Sequence, residues 1–384
     1  MAEPLAVYVH WPYCARICPY CDFNVTRDRG QAEQQALAEA IVHDLAGQAA
    51  LTGPRRLVSI FFGGGTPSLM DPAWAAAIVD AAKRLWPADA NLEISLEANP
   101  TDAEASRFSA FAAAGVDRLS LGLQSLDDEA LRFLGRNHDA AEARRAAQLA
   151  SKTFPRLSLD LIYARPGQTP AAWAEELHAA LDLGPEHISP YQLTIEPGTA
   201  FDRAVARKRF APPEHDLAAS LYETTQAVLE AAGFEAYEVS NHARGGAARS
   251  RHNLAYWTGL DYVGAGPGAH GRLTLDGART ATQAAAKVSD YIARVNAGGV
   301  GFAEPERLTP REAAVERLLM GLRIDAGVAW AEIAALGLKA ESAVVGDLRA
   351  EGLVHLTPGR LALTRKGRAL LDSVVAVLVD AETV

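Results

Sequence analysis

Cys14, Cys18 and Cys21 are the only three thiols in 384 residues, and all fall inside one short stretch, CARICPYCDF. An odd number of cysteines packed this closely makes a poor disulfide framework, so their C-x3-C-x2-C spacing suits metal ligation instead. Thiolates from one loop can close around a single centre without waiting for distant parts of the chain. A structural zinc takes four protein ligands, so zinc here would need a nearby histidine as the fourth. A four-iron cubane needs only three thiolates and leaves one iron open for a small molecule; thiolates are the usual ligands of such clusters. Pro12 and Pro19 preset a bent loop around the thiols.

A second stretch, GGGTPS at 63–68, directly follows the apolar run that ends in Phe61 and Phe62. Consecutive glycines let a backbone approach a ligand closely and take up φ > 0. No Gly-Lys-Ser/Thr follows, so this is not a Walker phosphate loop.

Positioning these groups requires a frame. Six apolar runs, at 5–11, 57–63, 92–98, 116–124, 157–163 and 187–195, read as buried strands. Between them lie Ala/Glu/Leu-rich helical segments at 32–51, 71–85, 102–114, 139–152 and 170–183. Asp71 and Thr101 suit helix N-caps and Pro170 a first-turn position. Repeated strand–helix alternation implies parallel strands with right-handed crossovers. Glu97, Gln124 and Asp160 fall at or near the carboxyl ends of their strands, the rim where parallel α/β folds hold ligands. This favours a partly closed barrel over an open sheet. Residues 214–242 read as one more helix and a strand, followed by a polar, glycine-rich stretch to about 271. From about 305 the texture changes to three helices, a hairpin turning at Pro358-Gly359 and a last helix at 365–378. The expected organisation is an α/β barrel with an extension over 1–300 and a small winged-helix-like α+β domain over 305–384.

The net charge of −10 and the lack of a basic recognition helix argue against nucleic-acid binding. No basic region precedes the first apolar run, which His10 and Pro12 interrupt, and no run reaches the 18 or so apolar residues of a membrane span. A cytoplasmic location, where thiols stay reduced, is expected.

The cysteine loop, with an aromatic before its last thiol, resembles the signature of the radical S-adenosylmethionine (SAM) superfamily, and GGGTP resembles the glycine stretch holding the methionine amino group there. YVHWPYC, CPYCDF, GGGTPS, LEANP, LGLQS, LGRNH and DLIYARPGQT together resemble the oxygen-independent coproporphyrinogen III oxidase family over about residues 5–375. That resemblance implies a partial (β/α)6 barrel and a HemN C-terminal-like domain. It makes Cys14, Cys18 and Cys21 the ligands of a [4Fe–4S] cluster whose open iron binds SAM. Tyr8 and Tyr20 would pack against that cofactor, with Gly64, Gly65, Thr66, Thr194 and His270 at its rim. Tyr8 and Glu97 become candidate catalytic residues. Gln124, Arg136 and Asp160 match positions that hold a second cofactor molecule in the decarboxylase.

The family has a decarboxylase branch and a heme chaperone branch. Where the decarboxylase carries a further cysteine, this chain has Phe23, and Tyr8 lies nearly at its start. RHNLAYW at 251–257 resembles the heme-associated H-N-x-x-Y-W pattern of the chaperone branch, which makes His252, Asn253, Tyr256 and Trp257 candidate heme contacts. The resemblance therefore implies heme as cargo, a heme-acceptor apoprotein, an electron donor and peripheral contact with a membrane-bound acceptor. Decarboxylation of two propionates is the alternative; it would need cations for the substrate carboxylates, with Arg165, Arg244, Arg249 and Arg251 as candidates. A zinc-stapled binding module without turnover is the third class, and the polar strand-end rim argues against it.

Overall fold

The computed structural model describes residues 2–381; Met1 and residues 382–384, the outer ends of the two expected domains, lie outside the described residues. Each of the six expected strand runs contains a strand: β1 (Pro4–Trp11), β2 (Arg56–Gly64), β3 (Ala88–Ala98), β4 (Arg118–Gln124), β5 (Arg156–Tyr163) and β6 (His187–Gln192). They pair in chain order, every pair parallel. Helices cross between them, among them α1 (Gln31–Thr52), α2 (Pro72–Leu85), α3 (Ala140–Thr153) and α4 (Pro170–Leu181). Asp71 and Thr101 accept bonds from Ala73 N and Glu104 N, and Thr169 caps α4 ahead of Pro170.

The strands are buried on both faces, but the faces differ in chemistry. Leu119, Leu121 and Leu123 of β4, like Leu157, Leu159 and Leu161 of β5, join the apolar layer under the helices. The alternate positions Arg118, Ser120 and Gln124, with Asp160 of β5 and Glu97 of β3, face a central cavity. The period-2 alternation of a strand therefore separates a greasy outer layer from a polar interior. Barrel interiors are more often filled by branched apolar side chains, so this one is equipped for a polar ligand.

The sheet continues past both ends of the six-strand run and does not close. Beyond β6 it adds the short antiparallel pieces His242–Ala243 and Glu235–Ala236, so the expected strand after helix α5 (His215–Ala231) is only two residues long. On the other side β1 pairs in parallel with β7 (Asp261–Ala265), a strand within the stretch expected to be polar and glycine-rich. This strand is five residues long, too short for a periodic signal. Tertiary packing fixes it: a Cβ at Gly264 would sit 2.1 Å from His270 O, and Gln48 Nε2 donates to Gly264 O at 2.9 Å. β8 (His270–Leu275) and β9 (Ala278–Gln283) extend this edge antiparallel. Just ahead of β7, RHNLAYW forms the short helix α6 (Arg251–Trp257).

The C-terminal part has its own apolar cluster, including Leu318, Val345, Leu361 and Val374. It holds the expected first helix, α7 (Pro310–Gly321), and a hairpin of Val354–Thr357 with Arg360–Leu363. The expected second helix is instead a 3-10 segment at Trp330–Leu336, bent at Ile333. Arg323, just beyond α7, reaches the barrel and binds Glu238. No helix among the described residues is long and apolar enough to cross a membrane.

Candidate functional site

The cysteine loop leaves the carboxyl end of β1 and is laced to the glycine stretch by its backbone. Gly65 N donates to Trp11 O at 2.8 Å and Thr66 N to Tyr13 O at 2.9 Å. A Cβ at Gly65 would lie 2.8 Å from Tyr13 O, and Gly64 has φ 107° with the His10 ring 2.6 Å from where a Cβ would sit. The glycines are thus required by close approach of strand β2 to the base of the thiol loop. At the far end of the loop, Asn24 donates to the carbonyls of Pro267 and Ala286, and its own carbonyl accepts from His10 Nε2 at 2.8 Å. That bond leaves His10 Nδ1 to accept the Tyr8 hydroxyl at 3.0 Å, so Tyr8 is fixed through a neutral imidazole.

Above the loop opens a cavity of about 800 Å³, within the range of small-molecule sites. Cys14, Cys18 and Cys21 all line it as free thiols, together with Tyr8, Tyr20, Gly64, Gly65 and Thr66. Glu97, Gln124, Arg136, Asp160 and Thr194 form further walls, and Asn253, Tyr256, Trp257 and His252 another. One candidate stays outside: His270 begins antiparallel β8 with its side chain exposed, and it does not line the cavity.

Burial in this pocket sets the charge states. Burial first, then the charge of Asp160, pushes the Glu97 carboxyl up to about 8, against an opposing bond from Gly64 N at 3.3 Å. Burial also raises Asp160, although Ser120 and Ser158 donate to it at 2.8 and 3.2 Å. Two buried carboxylates this close share charge poorly, and Glu97 takes the proton. Burial pushes the Cys14 thiol up to about 11, while the Thr66 hydroxyl and the Arg136 charge favour its thiolate. Arg136 Nη1 lies 3.4 Å from Cys18 Sγ and 3.4 Å from the Tyr20 hydroxyl, and Nη2 binds Asn99 Oδ1 and Gly122 O.

Helix α6 is anchored by Glu93, which accepts from the N–H groups of Arg251 and His252 at 3.0 and 3.1 Å. His252 is 1% exposed, and both ring nitrogens are occupied, by Ser59 Oγ at 2.9 Å and the Tyr256 hydroxyl at 2.7 Å. Burial brings it down to about 3, so the ring is neutral. A free nitrogen lone pair for iron is therefore missing at His252 in this arrangement.

The four arginines expected to greet carboxylates sit elsewhere. Arg165 is paired with Glu176 and Ser125, Arg249 with Glu235 and Asp325, Arg244 lies over the Phe234 ring, and Arg251 lines a separate pocket. The cavity cations are Arg16, Arg118, Arg136 and Arg323. Arg118 opens a strand, where a charge reads as a solvent-facing end, and Arg323 comes from the C-terminal part; neither carries a local signal. Asn99, which links Thr66 to Arg136, was legible only as part of LEANP.

Residues 8–180 match the Radical SAM superfamily and residues 308–370 the HemN C-terminal domain. The chain is 41% identical to bovine (Bos taurus) "Radical S-adenosyl methionine domain-containing protein 1, mitochondrial", over 99% of this chain and 88% of that protein. It is 34% identical to "Heme chaperone HemW" of Bacillus subtilis (strain 168), over 96% and 97% respectively. The chain belongs to the radical SAM superfamily. Among solved structures, coproporphyrinogen III oxidase (HemN) from Escherichia coli superposes with a TM-score of 0.78 at 22% identity, over 98% of this chain and 90% of that one. That likeness shows a shared fold. Radical SAM membership implies a [4Fe–4S] cluster and SAM. The donor set fits both: three free thiols share one wall, and the buried Gln124 Oε1 and Arg136 Nε lack protein partners beside it. Gln124 also holds a left-handed backbone, φ 63°, which strains a non-glycine residue at that rim.

Proposed function

We propose that this radical SAM protein binds heme and passes it to an acceptor apoprotein. One observation carries the proposal: the H-N-x-x-Y-W segment folds so that Asn253, Tyr256 and Trp257 line the same cavity as the three cysteines. HemW proteins, named as heme chaperones, are among the relatives.

In this proposal Cys14, Cys18 and Cys21 hold the cluster, with Gly64, Gly65, Thr66 and Thr194 around the SAM. When bound and reduced, cluster and SAM together supply a strong hydrogen-abstracting radical. The chain's own contribution is positioning and charge. Tyr8 is locked against His10, Arg136 offers a guanidinium for a carboxylate, and Glu97, protonated near neutrality, donates or releases a proton at the rim. Tyr256 and Trp257 supply aromatic surface for a porphyrin face, while His252 fixes that surface without ligating iron. His270 lies outside these contacts. Residues 1–300 would house this chemistry and 305–384 would cover it through Arg323. An electron donor and a heme acceptor complete the system, with the cytoplasm or an equivalent reducing compartment as its place and a membrane-bound acceptor as one docking partner.

The test is an anaerobic turnover assay with reconstituted protein, SAM, a strong reductant and coproporphyrinogen III. The chaperone proposal expects 5′-deoxyadenosine without conversion of the porphyrinogen. Accumulation of the twice-decarboxylated product over many turnovers would make the chain a decarboxylase.

A further inference from the structure

Arg118 is 2% exposed and lines the central cavity. Its guanidinium has no hydrogen-bond or ion-pair partner among the described residues. Its nitrogens are not among the enclosed polar atoms that lack partners, so the guanidinium opens onto the cavity with donors available to a ligand. The neighbouring buried charges are otherwise matched. Glu93 is paired with Arg156 and Glu238 with Arg323. Asp160 takes hydroxyls from Ser120 and Ser158. The charge of Arg118 favours the ionised forms of Glu93, Glu97 and Asp160 through space, but it makes no ion pair with any of them, which leaves its fork of donors open to a ligand.

Arg118 and Gln124 share the inward face of β4. They are six residues apart, roughly 20 Å along a strand. Gln124 stands with Arg136 by the thiols, whereas Arg118 lies in register with Ser95 and Arg156, next to the Arg156–Glu93 pair that holds the first N–H groups of helix α6. The cation therefore lies at the amino end of β4, toward the root of helix α6, while Arg136 binds Gly122 O near the other end of that strand.

We propose that Arg118 forms a carboxylate subsite at the inner end of the cavity and receives a propionate of the tetrapyrrole cargo. A guanidinium binds a carboxylate bidentately, which fixes orientation as well as affinity. Arg136 then serves the carboxylate of SAM and Arg118 that of the cargo. The assignment rests on the heme proposal above.

The experiment titrates hemin and hemin dimethyl ester into reconstituted full-length protein and into the Arg118→Gln and Arg118→Lys variants, with circular dichroism to verify folding. Wild type should prefer the free acid about tenfold or more, the size of one lost charge-assisted contact. Arg118→Gln should bring the two ligands within about twofold, and Arg118→Lys should lie between, because its ammonium keeps the charge and loses the fork. A folded Arg118→Gln that keeps the acid preference overturns the subsite and leaves the heme proposal intact. Should Arg118→Gln not fold, an acid preference in Arg118→Lys equal to wild type overturns it instead. Wild type that fails to bind hemin removes both proposals. A parallel titration with SAM separates the other carboxylate source: its affinity should be unchanged in Arg118→Gln, and a selective loss there would reassign the carboxylate to the cofactor and overturn the proposal.

Discussion

Arg136 Nη1 lies 3.4 Å from Cys18 Sγ, so a buried cation stands against one of the three thiols. The same guanidinium holds Asn99 and the Gly122 carbonyl, which ties the thiol loop to the ends of β3 and β4. Arg136→Leu should weaken SAM binding by about ten- to a hundredfold, the loss of one or two charged hydrogen bonds. Iron content should fall far less, since the cysteines remain. Equilibrium SAM binding and iron assays on the same preparation check this; equal SAM affinity would remove Arg136 from the site.

Glu97 makes stability fall as pH rises. Its folded value, about 8, lies above the ordinary carboxylate value of 4.5, so the folded state holds the proton more tightly than the unfolded state. Stability from this group is fully present below pH 4.5 and declines up to about pH 8. His252 acts in the opposite sense: held neutral down to about 3, it costs stability as pH falls below 6.5. Urea unfolding of wild type and Glu97→Gln between pH 5 and pH 9 isolates the first effect, which should shrink in Glu97→Gln by an amount on the order of a few kcal/mol. Parallel curves would contradict it. Asp160→Asn should move the wild-type inflection to lower pH, since the Asp160 charge helps raise Glu97.

His252 and Tyr256 form a buried pair at 2.7 Å. Tyr256→Phe strands a buried ring nitrogen and should cost about 1–3 kcal/mol of stability. His252→Gln should lower the melting temperature yet leave the absorption maximum of bound heme in place. A shifted maximum would identify His252 as an iron ligand.

Arg323 joins the C-terminal part to the barrel through Glu238, whose side chain is fully buried, and stacks over Trp257 with its guanidinium carbon 4.6 Å from the ring centroid. Arg323→Ala leaves a buried carboxylate uncompensated and should destabilise the protein by about 3–5 kcal/mol. Adding Glu238→Gln should restore part of that loss. A double-mutant cycle by urea unfolding measures the coupling, and strictly additive losses would show that the two side chains act independently.

The six barrel strands were legible because each carries an apolar outer face, and the rim residues Glu97 and Asp160 because polar groups stand out at apolar strand ends. The thiols and the glycine stretch were legible as local patterns, and the structure gives the glycines a packing reason in the contact of Gly65 with Tyr13. Arg118 was hidden because burial at the first residue of a strand follows from barrel curvature, which no local window contains. β7 was hidden by its shortness, five residues beside a glycine-rich turn, and its place beside β1 depends on contacts such as Gln48 with Gly264. The same blindness favoured Arg165, whose buried partner Glu176 lies on a following helix.

Heme and the three thiols sharing one cavity can be tested most directly by titrating hemin into the anaerobically reconstituted chain and into Trp257→Ala. Saturable uptake near one heme per chain, lost or weakened at least about tenfold in Trp257→Ala with iron and sulfide unchanged, is the expected result. Saturable binding indifferent to Trp257, or no binding by a chain with an intact cluster, would contradict it.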